Sequence, residues 1–233
     1  MKLLGIVGGM SWESTIVYYR LINEAVRDRL GGLHSARLVL SSVEFQGYAD
    51  DMAAGRWDEV ERNLLSEADR LVASGVDGIL IATNTMHMFA EAIAERSGLP
   101  VIHIADATGR AIVGAGAGHI GLLGTRYSME KGFYKDRLAE RFGIEALVPD
   151  ESERLEINRI IFSELCEGRF LDSSKRRLLE IIKTLREKGI EGVVLGCTEL
   201  PLILKPDDFD FPLWDTLGLH AFAAVDFMLK EEC

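Results

Sequence analysis

Residues 75–84, Gly-Val-Asp-Gly-Ile-Leu-Ile-Ala-Thr-Asn, return 114 residues later as residues 189–198, Gly-Ile-Glu-Gly-Val-Val-Leu-Gly-Cys-Thr. Each copy reads as a helix-ending glycine, an acid, a second glycine, and an apolar strand that runs into small polar residues. A spacing of 116 relates Gly5-Ile6-Val7-Gly8-Gly9, followed by Tyr18 and Glu24, to Gly121-Leu122-Leu123-Gly124-Thr125, followed by Tyr134 and Glu140. Two halves that share one plan are expected. Ligands of parallel α/β sheets sit at the carboxyl ends of the strands. Thr83 and Cys197 should therefore occupy equivalent places, and they would flank one cleft if the halves face each other.

Working outward, apolar strands are expected at 2–7, 36–42, 78–82, 101–104, 120–124 and 192–196, with helices between them. Ser11 or Ser14 can cap the first helix, whose apolar residues Ile16, Tyr19, Ile22 and Val26 recur at helical steps before Gly31-Gly32 stops it. Residues 43–55 read as a loop and 57–74 as an amphipathic helix. Further helices are expected at 85–97, from 105 through 117, and at 128–142, 151–166 and 173–188. Strands alternating with helices imply α/β architecture with parallel sheets and right-handed crossovers. Residues 211–214 and 216–229 have no partner within the second half, so they are expected to cross back and complete the first sheet. The expected organisation is two pseudo-symmetric α/β domains, 1–104 plus about 207–233, and about 105–206.

The 233 residues carry a net charge of −11, which argues against a nucleic-acid partner, since phosphates need a basic face. A hydrophobic share of 48% suffices for a core. No apolar run approaches a membrane span, and the first residues are too soon broken by glycine for a signal peptide. Cysteines at 166, 197 and 233 form an odd, scattered set, which fits reduced thiols and a cytoplasmic protein. No histidine or carboxylate cluster has metal-ligand spacing, so no metal is expected.

Cys197 directly follows a strand and precedes the expected start of a helix, where the positive end of the helix dipole favours a thiolate base or nucleophile. The alternative is a small buried residue at a strand end. Thr83 can donate a hydrogen bond or relay a proton, but its hydroxyl does not hold an anion near neutral pH unaided. Asn84, Thr85, Thr198, Thr125 and the strand-end Gly8 and Gly9 supply amide and hydroxyl donors for a carboxylate; the alternative is that Gly-Gly and Asn-Thr merely make turns, and for Gly8-Gly9 alone the turn is the preferred reading. His87 lies within a turn of Thr83 and could assist it, or could merely cap or pack. Cys166 fits a core or boundary position, and Cys233 an exposed terminal thiol.

Gly8-Gly9-Met10-Ser11-Trp12-Glu13-Ser14, Thr83-Asn84-Thr85-Met86-His87 and Gly196-Cys197-Thr198-Glu199 together resemble the aspartate/glutamate racemase family, with Tyr18-Tyr19-Arg20 and His103-Ile104-Ala105-Asp106-Ala107-Thr108 in support. The resemblance runs the length of the chain. It implies two pseudo-symmetric α/β domains with the site between them, no cofactor, and two strand-end residues that exchange protons with a substrate α-carbon from opposite faces. Thr83 and Cys197 would be that pair, Asn84, Thr85, Thr125 and Thr198 would hold the α-carboxylate, and Met10 would line the pocket, with Met52 added from the loop. The family often forms homodimers.

Most members have cysteine where this chain has Thr83. A threonine branch, described as acting on L-aspartate and L-glutamate, resembles the chain more closely. Cys197 would then remove the α-proton and Thr83 deliver one to the other face. The loop carries Glu44, Gln46 and Met52 and lacks Lys or Arg between Glu44 and Gly55, so the cation for a side-chain carboxylate would come from Arg56, Lys131 or elsewhere in the second half. Decarboxylation or cis-trans isomerisation of a small carboxylate on the same scaffold, or non-catalytic carboxylate binding, are the competing readings.

Overall fold

The strand that opens the chain, β1 (Leu4–Gly8), is buried at every position, as befits a parallel strand covered on both faces. The computed structural model describes residues 1–230. It divides into two units, one of Met1–His103 with the segment from His220 onward, the other of Ile104–Leu219.

In the first unit β1 is followed by α1 (Trp12–Leu30), β2 (Leu38–Ser42), α2 (Phe45–Ala53), α3 (Trp57–Ala73), β3 (Gly78–Ile81), α4 (Ala90–Ser97) and β4 (Val101–Ile102). The strands form one parallel sheet in the order β2-β1-β3-β4. Ser11 caps α1, and the chain leaves it at Gly31, where φ is +76°. The buried face of α1 is Thr15, Tyr18, Ile22, Ala25 and Val26, whereas Ile16 and Tyr19 are exposed; the helix is turned from the face expected of it. The expected loop at 43–55 is mostly α2, which Glu44 starts by accepting the Gln46 and Gly47 amides at 3.0 Å each.

The second unit runs α5 (Ile104–Gly114), β5 (His119–Gly124), α6 (Arg126–Glu130), α7 (Gly132–Phe142), β6 (Glu145–Leu147), α8 (Glu151–Ser163), α9 (Asp172–Glu187), β7 (Val193–Gly196), α10 (Leu200–Ile203), β8 (Leu213–Asp215) and α11 (Thr216–Leu229). Its sheet is parallel with the order β6-β5-β7-β8, the first sheet's order repeated. The register repeats too: Gly5 pairs with Ile79 in the first sheet, and Gly121 with Val193 in the second. One face of the second sheet packs Ile157, Ile160, Leu178, Ile181 and Leu185 of α8 and α9, and the other packs Ile104 and Ile112 of α5 with Tyr134 and Leu138 of α7.

The sequence-based assignment of 211–214 to the first sheet is corrected. β8 pairs with β7, Val193 opposite Leu213, as β4 pairs with β3, Ile79 opposite Val101. Residues 211–214 thus complete the second sheet. Only the later part of α11 joins the first unit, while α5, which follows β4 in the same way, belongs to the second.

Candidate active site

Each unit offers a constellation at the carboxyl end of its sheet. In the first, β1 gives way to Gly9 and Met10, and β3 to Thr83, Asn84 and Thr85. Gly9 has a φ of +94°, and a Cβ there would lie 2.3 Å from the Val43 carbonyl oxygen, so only glycine fits this crossing. Its amide is not free for a ligand: it donates to Thr15 Oγ1 at 2.9 Å, and that hydroxyl donates to the Ser11 carbonyl at 2.9 Å. Gly9 is thus the turn residue that the sequence favoured for Gly8-Gly9, not an open anion donor. Met10 and Met52 are buried, Met52 on α2.

Thr83 is half-buried, and its hydroxyl makes no hydrogen bond among the described residues. Its amide donates to the Ile81 carbonyl at 2.8 Å. Its carbonyl accepts from His87 Nδ1 at 2.7 Å, so His87 holds the Thr83 backbone and not its hydroxyl. Asn84 and Thr85 follow, both buried, with Thr85 opening a 3₁₀ turn, Thr85–Phe89. Behind this turn the rings of His87, His103 and His220 pack with centroids 4.8 Å (His87–His103) and 5.2 Å (His87–His220) apart. His220 Nε2 lies 2.6 Å from the Ile102 carbonyl, which can only accept, so Nε2 carries the proton and Nδ1 accepts from the Tyr18 hydroxyl at 2.9 Å. Burial, then the neighbouring His87, holds the His220 imidazole well below its usual pKa, opposed by its bond to Ile102.

In the second unit, β5 ends at Gly124 and β7 at Gly196, register partners whose backbones lie so close that a Cβ on Gly124 would sit 2.7 Å from the Gly196 carbonyl oxygen. This brings the strand ends that carry Thr125 and Cys197 together. Thr125 caps α6 through the Ser128 amide, 3.3 Å away. Cys197 is buried, and its Sγ donates to Glu199 Oε2 at 3.0 Å; Thr198 Oγ1 donates to the same oxygen at 2.9 Å. The Thr198 hydroxyl is thus directed at Glu199, which is also buried.

The expected dipole-stabilised thiolate is corrected here. Burial first, then the charge of Glu199, pushes the Cys197 thiol well above its ordinary pKa. The following helix, α10, is a single turn, too short for its dipole to compete. Glu199 is the residue that sequence reasoning missed; it stood in the quoted Cys-Thr-Glu motif, but nothing in periodicity says that its side chain turns back to the thiol. Of the proposed cations, Arg56 is paired to Asp51 at 2.8 Å, whereas Lys131 is exposed at the break between α6 and α7 and makes no ion pair among the described residues. Cys166 is half-buried against the same core cluster as Cys197, in the boundary position expected of it. Cys233 lies outside the described residues. Among the described residues no group of three or more His, Cys, Asp or Glu is arranged to hold a metal ion, and no helix is long and apolar enough to cross a membrane.

Residues 7–224 match the family described as Asp/Glu/Hydantoin racemase. The chain belongs to that family. Among curated relatives it is 29% identical over 187 residues to glutamate racemase of Parafrankia sp. (strain EAN1pec), a match covering 75% of this chain and 64% of that protein. The chain thus spans just under two thirds of that relative's length. Among solved structures, a candidate Asp/Glu racemase from Yersinia pestis is 46% identical with a TM-score of 0.92, covering 99% of this chain and 100% of the other. An aspartate racemase homologue from Pyrococcus horikoshii OT3, PH1733, is 33% identical with a TM-score of 0.84 over the same shares. The two parallel four-stranded sheets flanked by helices are the fold of this racemase family.

Proposed function

We propose that this family member is a cofactor-independent racemase of aspartate and/or glutamate that moves a proton at the substrate α-carbon. Cys197 removes the proton from one face and Thr83 delivers one to the other. The observation that carries this is the repeat itself: two sheets of identical order and register end, at equivalent places, in two proton-bearing side chains, one of them a cysteine in the family's Gly-Cys-Thr-Glu setting. The names of the relatives, glutamate racemase and aspartate racemase homologue, support the substrate class.

Removing an α-proton leaves charge on the carbon that spreads into the α-carboxylate, so donors must meet that carboxylate as charge develops. Asn84, Thr85 and Thr125 are proposed for this, with Thr198, whose hydroxyl is directed at Glu199, holding the Glu199 carboxylate beside them, and with Met10 and Met52 as apolar lining. Lys131 is the proposed partner of the side-chain carboxylate. Because Thr83 and Cys197 differ, one enantiomer is expected to be turned over faster, while the equilibrium between enantiomers stays at one. We further propose a homodimer, the commonest closed assembly, and a reducing cytoplasmic setting that keeps Cys197 a free thiol.

Proton NMR in deuterated water with L- and D-aspartate and L- and D-glutamate tests this directly. Loss of the α-proton signal is expected with the intact protein and not with Cys197→Ala. Tight, saturable binding of aspartate with no exchange would instead favour carboxylate binding without catalysis, and turnover of malonates or maleate a decarboxylase or isomerase.

A further inference from the structure

We propose that Glu199 is a positioning residue that stores and returns the proton of Cys197, so that the two side chains act as one acid–base pair sharing a single proton. This rests on the assignment of Cys197 as the group that exchanges a proton with substrate. The geometry is specific. The chain turns between β7 and α10, with the Leu200 amide 3.3 Å from the Cys197 carbonyl, and side chains two residues apart meet at 3.0 Å. The Thr198 hydroxyl, at 2.9 Å, fixes the same carboxylate oxygen. Both ends of the pair are buried, so no bulk water stands ready to take the thiol proton.

At rest the pair carries one proton, on Sγ, and one negative charge, on Glu199. The Sγ–H bond breaks, Oε2–H forms, and the electron pair stays on sulfur. The thiolate then takes the substrate α-proton: C–H breaks, S–H forms, and that bond's electrons remain on the α-carbon and its carboxylate. The pair now holds two protons. In the opposite direction Sγ–H protonates the carbon and Glu199 hands its proton back. Without that acceptor a buried thiol raised by its surroundings has no neighbouring group to take its proton and form the thiolate; the proton gained in a turnover leaves the pair for solvent as product departs, and Thr83 regains one from solvent at the same stage. The repeat sharpens the point, because the position 114 residues before Glu199 is Thr85, which has no carboxylate to offer Thr83. Only one of the two proton-bearing groups has a store.

The test uses Glu199→Gln and Glu199→Asp in the full chain, each read twice: α-proton exchange by NMR, and the pH dependence of iodoacetamide alkylation of Cys197, followed on its own peptide by mass spectrometry. Glu199→Gln is expected to lower the exchange kcat by about 100-fold or more, within the range for general acid–base partners, with KM changed by less than about 3-fold on that same basis. Its alkylation midpoint should move to lower pH, because the negative neighbour is gone. Activity and thiolate fraction then move in opposite directions, which a purely structural role for Glu199 does not produce. Glu199→Asp should recover part of the exchange, and it keeps the test alive if Glu199→Gln does not fold. Exchange within about 3-fold of wild type in a folded Glu199→Gln, or an alkylation midpoint that does not move, overturns the shared proton. If the wild type exchanges no acidic amino acid, the proposed racemase activity fails, while the alkylation midpoint still decides whether Glu199 and Cys197 share a proton.

Discussion

Replacing Tyr18 by phenylalanine removes the donor to His220 Nδ1 from a place that water does not reach, since both residues have zero exposure. The Ile102 carbonyl already fixes the imidazole proton on Nε2, so the ring cannot flip its tautomer to compensate without losing that 2.6 Å bond. An orphaned buried acceptor costs about 1–3 kcal/mol. The repeat supplies the control. Tyr134 sits 116 residues later, is equally buried, and donates at 3.0 Å to Thr108 Oγ1, a hydroxyl that also donates to the Ile104 carbonyl at 2.9 Å. Tyr134→Phe leaves every donor paired and only a hydroxyl lone pair empty, so its cost should be roughly 0.5–1.5 kcal/mol, that of one ordinary hydrogen bond. Urea unfolding at pH 7.5 should rank Tyr18→Phe below Tyr134→Phe by roughly 1 kcal/mol, or about 2–4 °C in melting temperature for a chain of this size. Equal costs for the two substitutions at pH 7.5 would refute the assignment of donors and acceptors in this buried chain.

Three other outcomes are expected. Gly9→Ala should cost several kcal/mol or shift the β1 exit, since the new Cβ meets backbone 2.3 Å away at a φ of +94°; urea midpoints and exchange activity should fall together. Wild-type stability should be flat near pH 7 and fall below about pH 6.5, by up to about 1.4 kcal/mol per pH unit from His220 alone, because the unfolded histidine takes a proton that the buried one refuses; His220→Asn should flatten that slope. Asp106→Asn should cost about 1–2 kcal/mol by urea unfolding and spare α-proton exchange, since it weakens the bonds to Arg137 at 2.6 and 2.9 Å and to the half-exposed Arg141 at 2.6 Å.

The repeat was legible in the sequence because register is a backbone property that small residues mark: the glycines before β3 and β7 and those ending β1 and β5 fall where the pairing needs them. β8 was placed in the wrong sheet because Val101-Ile102 and Leu213-Trp214 share only apolarity, and they stand 112 residues apart, not 114. The short edge strand β6 gave no alternating pattern long enough to read. On α1 the apolar count pointed to Ile16 and Tyr19, but the packed face carries Thr15 and Tyr18, whose hydroxyls serve Ser11 and His220. The positions of Thr83 and Cys197 at strand ends could be read from pattern alone. The state of the thiol could not, because it depends on burial and on a carboxylate whose side chain folds back across two residues.

The exchange of final helices between the two units has a consequence for synthesis on the ribosome. Residues 104–219 form a contiguous unit whose parts all emerge in one stretch, whereas the first unit waits for His220 and the residues after it. Tyr18 meets its partner only after about two hundred further residues have been translated. The unit made first is therefore finished last, against the usual order in which amino-terminal domains fold ahead of the rest. During that delay β1, α1 and β3 must be held without the Ala221, Ala224, Val225 and Met228 side chains that are fully buried in the finished protein. A stalled or truncated chain lacking α11 would carry an open apolar face, a target for chaperones and proteases.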